Sequence, residues 1–421
     1  MLKKTLIMLS LPLMLSAYTI PELFDALKRH SQTKSDEMVV KKAEIYEDLA
    51  DAKLYPKINL FASYDHYSSP TNLLPVPPNT IKNPATAQPF SQNITREGAA
   101  FTMPIFMKSI FTLVEKAKIM QKSAKAKKYI NLLENEALIV GNNANYIYLV
   151  ALQKSLDIKE KSLLETKKTL QIKVENGRVG ASELYKINDS LNQINITKNS
   201  IEIQKRKLIS IIYSLTGIKL EAPVTMSVNE NLDSSRGLAS LEPLRVRIAA
   251  DKLSVKAEKE KLYPAFFAQG TYVFSQGTAY NNDKSLNEEY GNIGVILNIP
   301  LLQMENYSEI SLAKIEVKSS EVELAKMTDE LESKAQMLEE SLPLLYNSVK
   351  LYTQSIDDKK QLLELAKLNF KNGRLSTEEY LRYEDDVISA EAQLYKADAE
   401  VIQTKMQLAV IYANNIEEML K

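Results

Sequence analysis

Apolar residues recur along two long stretches of the chain at alternating steps of four and three. Leu338, Leu342, Leu345, Val349, Tyr352 and Ile356 keep this spacing, and Leu363, Ala366 and Phe370 continue its phase. Earlier in the chain Leu149, Leu152, Leu156, Leu163, Leu170 and Val174 follow the same rule. A mean period of 3.5 keeps one seam of a helix against a neighbour, so both stretches predict helices packed as in a coiled coil. Each helix is expected to run from a proline, Pro104 or Pro300, for roughly 70 residues, or about 105 Å at 1.5 Å per residue. Pro343 falls inside the second, where it removes a backbone hydrogen bond and should kink the rod; Ile147 stands at the matching place in the first.

Shorter seams follow each long one. Leu184, Ile187, Leu191, Ile194, Ile201 and Leu208 form one, and Leu381, Val387, Leu394 and Val401 the other. These predict helices of about 35 residues, roughly 50 Å. Ile20 to Leu54 has no proline after Pro21 and carries Leu23, Phe24, Leu27, Val39, Ile45 and Leu49 at helical spacing, which predicts a further helix of roughly 50 Å. Two short helices stacked end to end match one long helix, so paired columns of equal height are expected.

After Pro56 the period changes to two. Ile58, Leu60, Ala62 and Tyr64 share one face and Asn59, Ser63 and Asp65 the other, with Phe61 breaking the pattern. A return strand places Ala99, Phe101 and Met103 opposite Ala100 and Thr102, and Ile293, Val295, Leu297 and Ile299 keep phase in a later one. The four expected strands, 57–67, 97–103, 265–275 and 290–299, are mostly near the 9 to 11 residues that cross a bilayer at a barrel's tilt, with Tyr and Phe near their ends. A soluble hairpin packed on a helix would show the same short pattern.

These elements come in two copies. Lys53-Leu54-Tyr55-Pro56 recurs as Lys261-Leu262-Tyr263-Pro264, Met103-Pro104-Ile105 as Ile299-Pro300-Leu301, and Asn176-Gly177-Arg178 as Asn372-Gly373-Arg374. The last two pairs share one offset, so the segment between them keeps its length, as a helix in register must. The length difference falls in the proline-rich interval after Pro56, read as loop 68–96, where insertions cost least. The reading is therefore a first repeat at 18–220 with its turn at 176–180, a connector at 221–240, and a second repeat at 241–421 with its turn at 372–376.

Composition narrows the function. Lys+Arg and Asp+Glu are equal at 53 each, which gives no basic footprint for nucleic acid. There is no Cys, and the two histidines, His30 and His66, fall in different element types. Triads, thiolate metal sites and His-rich metal centres are thereby disfavoured, no phosphate-cradling glycine loop appears, and neither enzyme activity nor a cofactor or metal is expected. Residues 1–17 read as a signal peptide: Lys3-Lys4, an apolar run from Leu6 to Leu15, and small Ser16-Ala17 before Tyr18. An uncleaved amphipathic helix is the other reading. The run is too short to span a bilayer, no Cys follows for a lipid anchor, and any membrane span must be made of strands. Two hairpins supply four strands, fewer than a closed membrane barrel needs, so the chain must oligomerise.

Further residues resemble a known family, the TolC-like outer membrane efflux proteins (outer membrane factors). They are Leu215-Thr216-Gly217 closing the first copy, Leu244-Arg245-Val246-Arg247-Ile248-Ala249-Ala250 opening the next helix, the Tyr-Pro and Met-Pro-Ile-Phe/Ile-Pro-Leu-Leu junctions, and the Asn-Gly-Arg turns. The resemblance implies a mainly α fold with a small β part: a homotrimer with a 12-stranded transmembrane β-barrel, four strands per protomer, on a long periplasmic α-helical barrel. It further implies an outer-membrane location with a large periplasmic portion and contact with outer membrane lipid. The implied role is a passive duct opened by a periplasmic adaptor (membrane fusion) protein and an inner-membrane pump of RND or ABC type, for efflux or type I secretion. A periplasmic coiled-coil adaptor is the competing reading, although adaptors place their β-domains outside one helical hairpin. In the family the helical turns form the adaptor-docking tip, here Asn176, Gly177, Arg178, Asn372, Gly373 and Arg374. Acidic rings close the aperture just beyond. Glu183 and Glu379 match the ring position, whereas Lys186 and Arg382 stand where a second acid is common. An i, i+3 ion pair with each Glu would weaken such a ring. Asp189, Asp385 and Asp386 lie further in. Solvated helix starts account for the same acids, and glycine at a helix end for Gly177 and Gly373.

Overall fold

A computed structural model describes residues 18–76, 85–229 and 232–420; the expected signal peptide and part of the first hairpin loop lie outside them. The described chain forms eight helices and four strands. In order they are α1 (Ile20–Arg29), α2 (Ser31–Ala52), β1 (Lys57–Asn72), β2 (Phe90–Phe106), α3 (Lys108–Glu175), α4 (Ser182–Thr216), α5 (Glu242–Glu260), β3 (Ala265–Thr278), β4 (Ser285–Asn298), α6 (Met304–Lys371), α7 (Thr377–Ile411) and α8 (Ile416–Met419). Both repeats share the order helix, hairpin, 68-residue helix, 35-residue helix. Two compact units result. One takes the chain up to Met38, Ala126–Glu242 and the chain from Lys326; the other takes Val39–Lys125 and Pro243–Ala325.

The helical unit is built on the seams. Leu149, Leu156, Leu163 and Leu170 of α3 bury against Ile187, Leu191, Ile194 and Ile201 of α4, with Leu152, Leu184 and Leu208 packed alongside. Every one is a seam position read from spacing. A second core gathers Ile20, Leu23, Phe24 and Leu27 of α1, Leu133 and Val140 of α3, Ile212 of α4, and Met406 and Ala409 of α7. α1 starts where Thr19 and Glu22 close a reciprocal capping box with Pro21 in the first turn.

Three features add to the reading from sequence. The first helix is interrupted: His30 takes extended backbone between α1 and α2, and the Leu27 carbonyl accepts from the His30 amide at 3.1 Å and the Thr33 hydroxyl at 2.8 Å. No glycine or proline marks that break. The end of the first repeat and the start of the 221–240 connector pack into the core. Leu220 and Val224 are buried and Ile218, Met226 and Val228 half-buried; the Val224 amide donates to Asn143 at 2.8 Å, and Val228 bridges to Leu420. The even-numbered apolar residues of this segment alternate as a strand's do. α6 continues as one helix through Pro343, the site of the expected kink.

The other unit holds one antiparallel sheet in the order β1-β2-β3-β4. Each junction before it ends its helix alike, with the Tyr55 and Tyr263 amides donating to Ala52 and Glu260 carbonyls before a proline that requires extended backbone. Register puts Ile58, Phe101, Gly270 and Ile293 in one cross-strand row and Leu60, Ala99, Tyr272 and Gly291 in the next. With Met103, Phe266, Val295 and Leu297 they make one apolar face. The opposite face carries Asn59, Ser63, Asp65, Thr102, Gln269, Thr271, Asn292 and Asn298, with Phe61, Val273 and Ile296 among them. The strands are 14 to 17 residues long and all four outrun the expected ranges at one end or both. Beyond Tyr64 they are held by polar pairing: Arg96 donates to Asp65, Tyr67 and the Asn72 carbonyl, and His66 pairs with Asn93 at 2.7 Å. At these tips Leu73, Ile94, Ala279 and Leu286 form a small core of their own.

Candidate functional site: the two helical turns

Both Asn-Gly-Arg turns close their long helices in the same way. Gly177 and Gly373 adopt φ of 66° and 69°, the left-handed region that glycine enters without strain. The Arg178 and Arg374 amides donate back to Lys173 and Asn369 carbonyls at 2.9 Å, and the glycine amides donate to Val174 and Phe370. The Asn176 side chain also reaches the Ile172 carbonyl at 2.8 Å. All six turn residues, Asn176, Gly177, Arg178, Asn372, Gly373 and Arg374, are exposed.

The two turns diverge at the next helix. Ser376 caps α7 in a reciprocal box: its hydroxyl accepts from the Glu379 amide at 3.2 Å, and the Glu379 carboxylate accepts from the Ser376 amide at 3.0 Å. The Ser376 amide and hydroxyl, with help from Arg382, hold Glu379 below the usual carboxylate range. At the matching place α4 has Gly180, and its first turn has no side-chain cap. Glu183 instead sits beside the Thr377 hydroxyl and 3.3 Å from Lys186, and these two hold it below the usual range. Lys186 also reaches Glu378 at 3.4 Å, so its ammonium joins the two turns and is held above its ordinary range. The structure therefore brings Glu183, Lys186, Thr377 and Glu378 together. The i, i+3 ion pair forms at Lys186, whereas Arg382 makes no ion pair with Glu379, whose carboxylate is committed to the cap.

Asp189, Asp385 and Asp386 are exposed. Asp385 pairs with Lys159 of α3, and the Asp386 carbonyl accepts from Lys359. Deeper between α3 and α7 lies a cluster that sequence reading did not pick out. Glu384, 5% exposed, accepts from the Ser162 hydroxyl at 2.5 Å and the Tyr380 hydroxyl at 2.6 Å. Tyr380 stacks on Phe370 with ring centroids 4.8 Å apart. Burial, reinforced by its bond to Glu384, pushes the Tyr380 phenol well up. Burial also lowers Lys159, partly offset by the Glu384 charge. Two turns on, Ser155 donates to Glu391. The α3–α7 joint is polar where the α3–α4 seam is apolar. Ser376-x-x-Glu379 was legible as a capping box; Glu384, in phase with Leu381 and Val387, was legible as a polar residue at a core position.

Among the described residues no cluster of three metal-ligating side chains occurs, and no helix is long and apolar enough to cross a membrane. No protein-family model and no curated protein matches the chain. Solved structures do. The chain is similar to the Campylobacter jejuni CmeC outer membrane channel at TM-score 0.79 and 16% identity, over 93% of this chain and 85% of that one. The outer membrane protein VceC of Vibrio cholerae matches at TM-score 0.76 and 15% identity, over 94% and 96% of the two chains. The Neisseria gonorrhoeae MtrE outer membrane channel, in its open state, matches at 0.75 and 13%, over 93% and 88%.

The chain has the fold of the TolC-like outer membrane factors. Within that fold the hairpins supply the β part and the Asn-Gly-Arg turns end the long helices.

Proposed function

We propose that the chain is the outer-membrane channel of an export assembly, a trimer whose hairpins close a 12-stranded barrel and whose helices form a periplasmic duct. The observation that carries this reading is the sheet. It has two free edges, β1 and β4, and its apolar face is bare, with Leu60 84% and Ile293 81% exposed. In water such a sheet would aggregate, and in lipid its edges would leave backbone groups unpaired. Pairing β1 of one copy with β4 of the next removes both costs, and three copies of four strands give an even-numbered barrel of ordinary size.

The exposed turns and the Glu183–Lys186–Glu378 group at their base form the end that docks a periplasmic adaptor fed by an inner-membrane pump. The duct serves a tripartite efflux or type I secretion system and leaves cargo choice to the pump. Absence of any Cys makes the test direct. Single cysteines introduced along β1 and β4 should crosslink the protein into trimers in outer-membrane fractions, and the purified protein should conduct in a planar bilayer. A protein recovered as a soluble monomer, with no crosslinks between edges, would refute the reading.

A further inference from the structure

Position 136 lies on the core face of α3, between Leu133 and Val140. Both of these are buried in the cluster that takes Leu23, Phe24 and Leu27 of α1 and Ile416 and Met419 near the C-terminus. The residue there is a glutamate, 2% exposed, with no hydrogen bond or ion pair to any described residue. Nearby, Lys28 of α1 pairs with Glu417 of α8, joining the two ends of the chain. These two side chains also line a cavity of about 580 Å³ together with Ile20, Phe24, Thr225 and Leu420. A carboxyl set among apolar side chains is costly when ionised and tolerable when protonated.

We propose that Glu136 is a proton-binding site coupled to the docking of the chain's two ends: protonated, it lets α1 and α8 close over α3, and ionised, it loosens them. The groups facing it decide the sign. Burial pushes the Glu136 carboxyl up to about 7, the Glu417 charge adds to this, and Lys28 offsets part of it. α1 brings Lys28 and also Asp25, whose charge acts on Lys28. α4, α7 and the 218–228 segment bring Ile212, Met406, Leu220 and Val224, which are apolar. When the ends lift away, Glu136 returns to an ordinary value of 4.5. The closed state therefore holds the proton more tightly than the open state. Closure is most favoured at acid pH and weakens as pH rises from 4.5 through about 7. Between pH ~5.5 and ~8.5 the closing equilibrium should fall by up to about 30-fold.

Hydrogen exchange on the full chain, in the lipid or detergent that keeps it folded, tests this. Protection of peptides covering 19–29 and the residues after 412, corrected for intrinsic rates, is followed from pH ~5.5 to ~8.5. The wild type should lose protection by up to about 30-fold. Glu136→Gln should be flat and protected throughout. Glu417→Gln, which removes the repelling charge and frees Lys28 for Glu136, should show a smaller fall, and it serves as the test if Glu136→Gln does not fold. A flat wild type, a Glu136→Gln profile matching wild type, or an unchanged fall in Glu417→Gln would each overturn the proposal. None of these outcomes depends on conduction.

Discussion

Tyr380→Phe probes the polar joint between α3 and α7 with one atom removed. The Phe370 stack, with centroids at 4.8 Å, is retained because the ring stays. What is lost is the 2.6 Å donation to Glu384, whose remaining donor is Ser162 at 2.5 Å, together with the 3.2 Å contact between the Tyr380 and Ser162 hydroxyls. A hydrogen bond to a charged group contributes about 1.5–3 kcal/mol, so local opening around Glu384 should become roughly 10- to 150-fold more frequent. Hydrogen exchange in peptides spanning 377–391 reads this directly. Ser162→Ala removes the other donor, and because the two bonds share one acceptor oxygen, the double variant should depart from the sum of the singles by at least about 0.5 kcal/mol. Exchange within twofold of wild type in Tyr380→Phe, or strict additivity of the pair, would show that the cluster does not hold the joint.

Other outcomes follow from the same geometry. Ser376→Ala should destabilise the start of α7 by about 1 kcal/mol, whereas Ser182→Ala, with no capping bond to lose, should leave α4 unchanged, as exchange in the first turn of each helix would show. Leu163→Ala empties the middle of the α3–α4 seam and should cost about 2–5 kcal/mol in chemical denaturation. Gly270→Ala would place a Cβ 2.3 Å from the Phe101 ring and should lower the yield of folded protein, while Gly294→Ala meets nothing within 4 Å and should fold normally.

What could be read from the sequence was what repeats. The seam at Leu149, Leu156, Leu163 and Leu170 was visible because burial recurs every seventh residue over several turns. The strands were visible only where one face is apolar. The sheet continues over 68–72 and 90–96, next to polar pairs such as Arg96 with Asp65 and Asn93 with His66, and these stretches read as loop because no hydrophobic alternation marks them. The break at His30 carries no glycine or proline. The connector shows the opposite case, since Ile218, Leu220, Val224, Met226 and Val228 alternate plainly, yet lie where a linker is expected between repeats. At the site, glycine geometry and the capping box are local and legible. The Ser162–Glu384 bond joins residues 222 apart, and no local pattern signals it.

The two copies keep one pattern but use it differently, and the difference bears on assembly. In the first copy the α3 seam is covered by α4 within the chain. In the second, α6 also carries Leu344, Leu351 and Leu365 at multiples of seven, and all three are exposed. α4 likewise exposes Ile196 and Ile203, seven apart. These two stripes belong to unlike helices, as the free edges β1 and β4 belong to unlike strands. A two-fold dimer would pair like with like and leave half of each set bare. A head-to-tail arrangement joins α6 to α4, and likewise a head-to-tail arrangement joins β4 to β1, and each ends only when its ring closes. The apolar surface left over on the helices and the strand edges left over on the sheet are thus each satisfied by a closed head-to-tail ring, the kind of assembly the proposed duct needs.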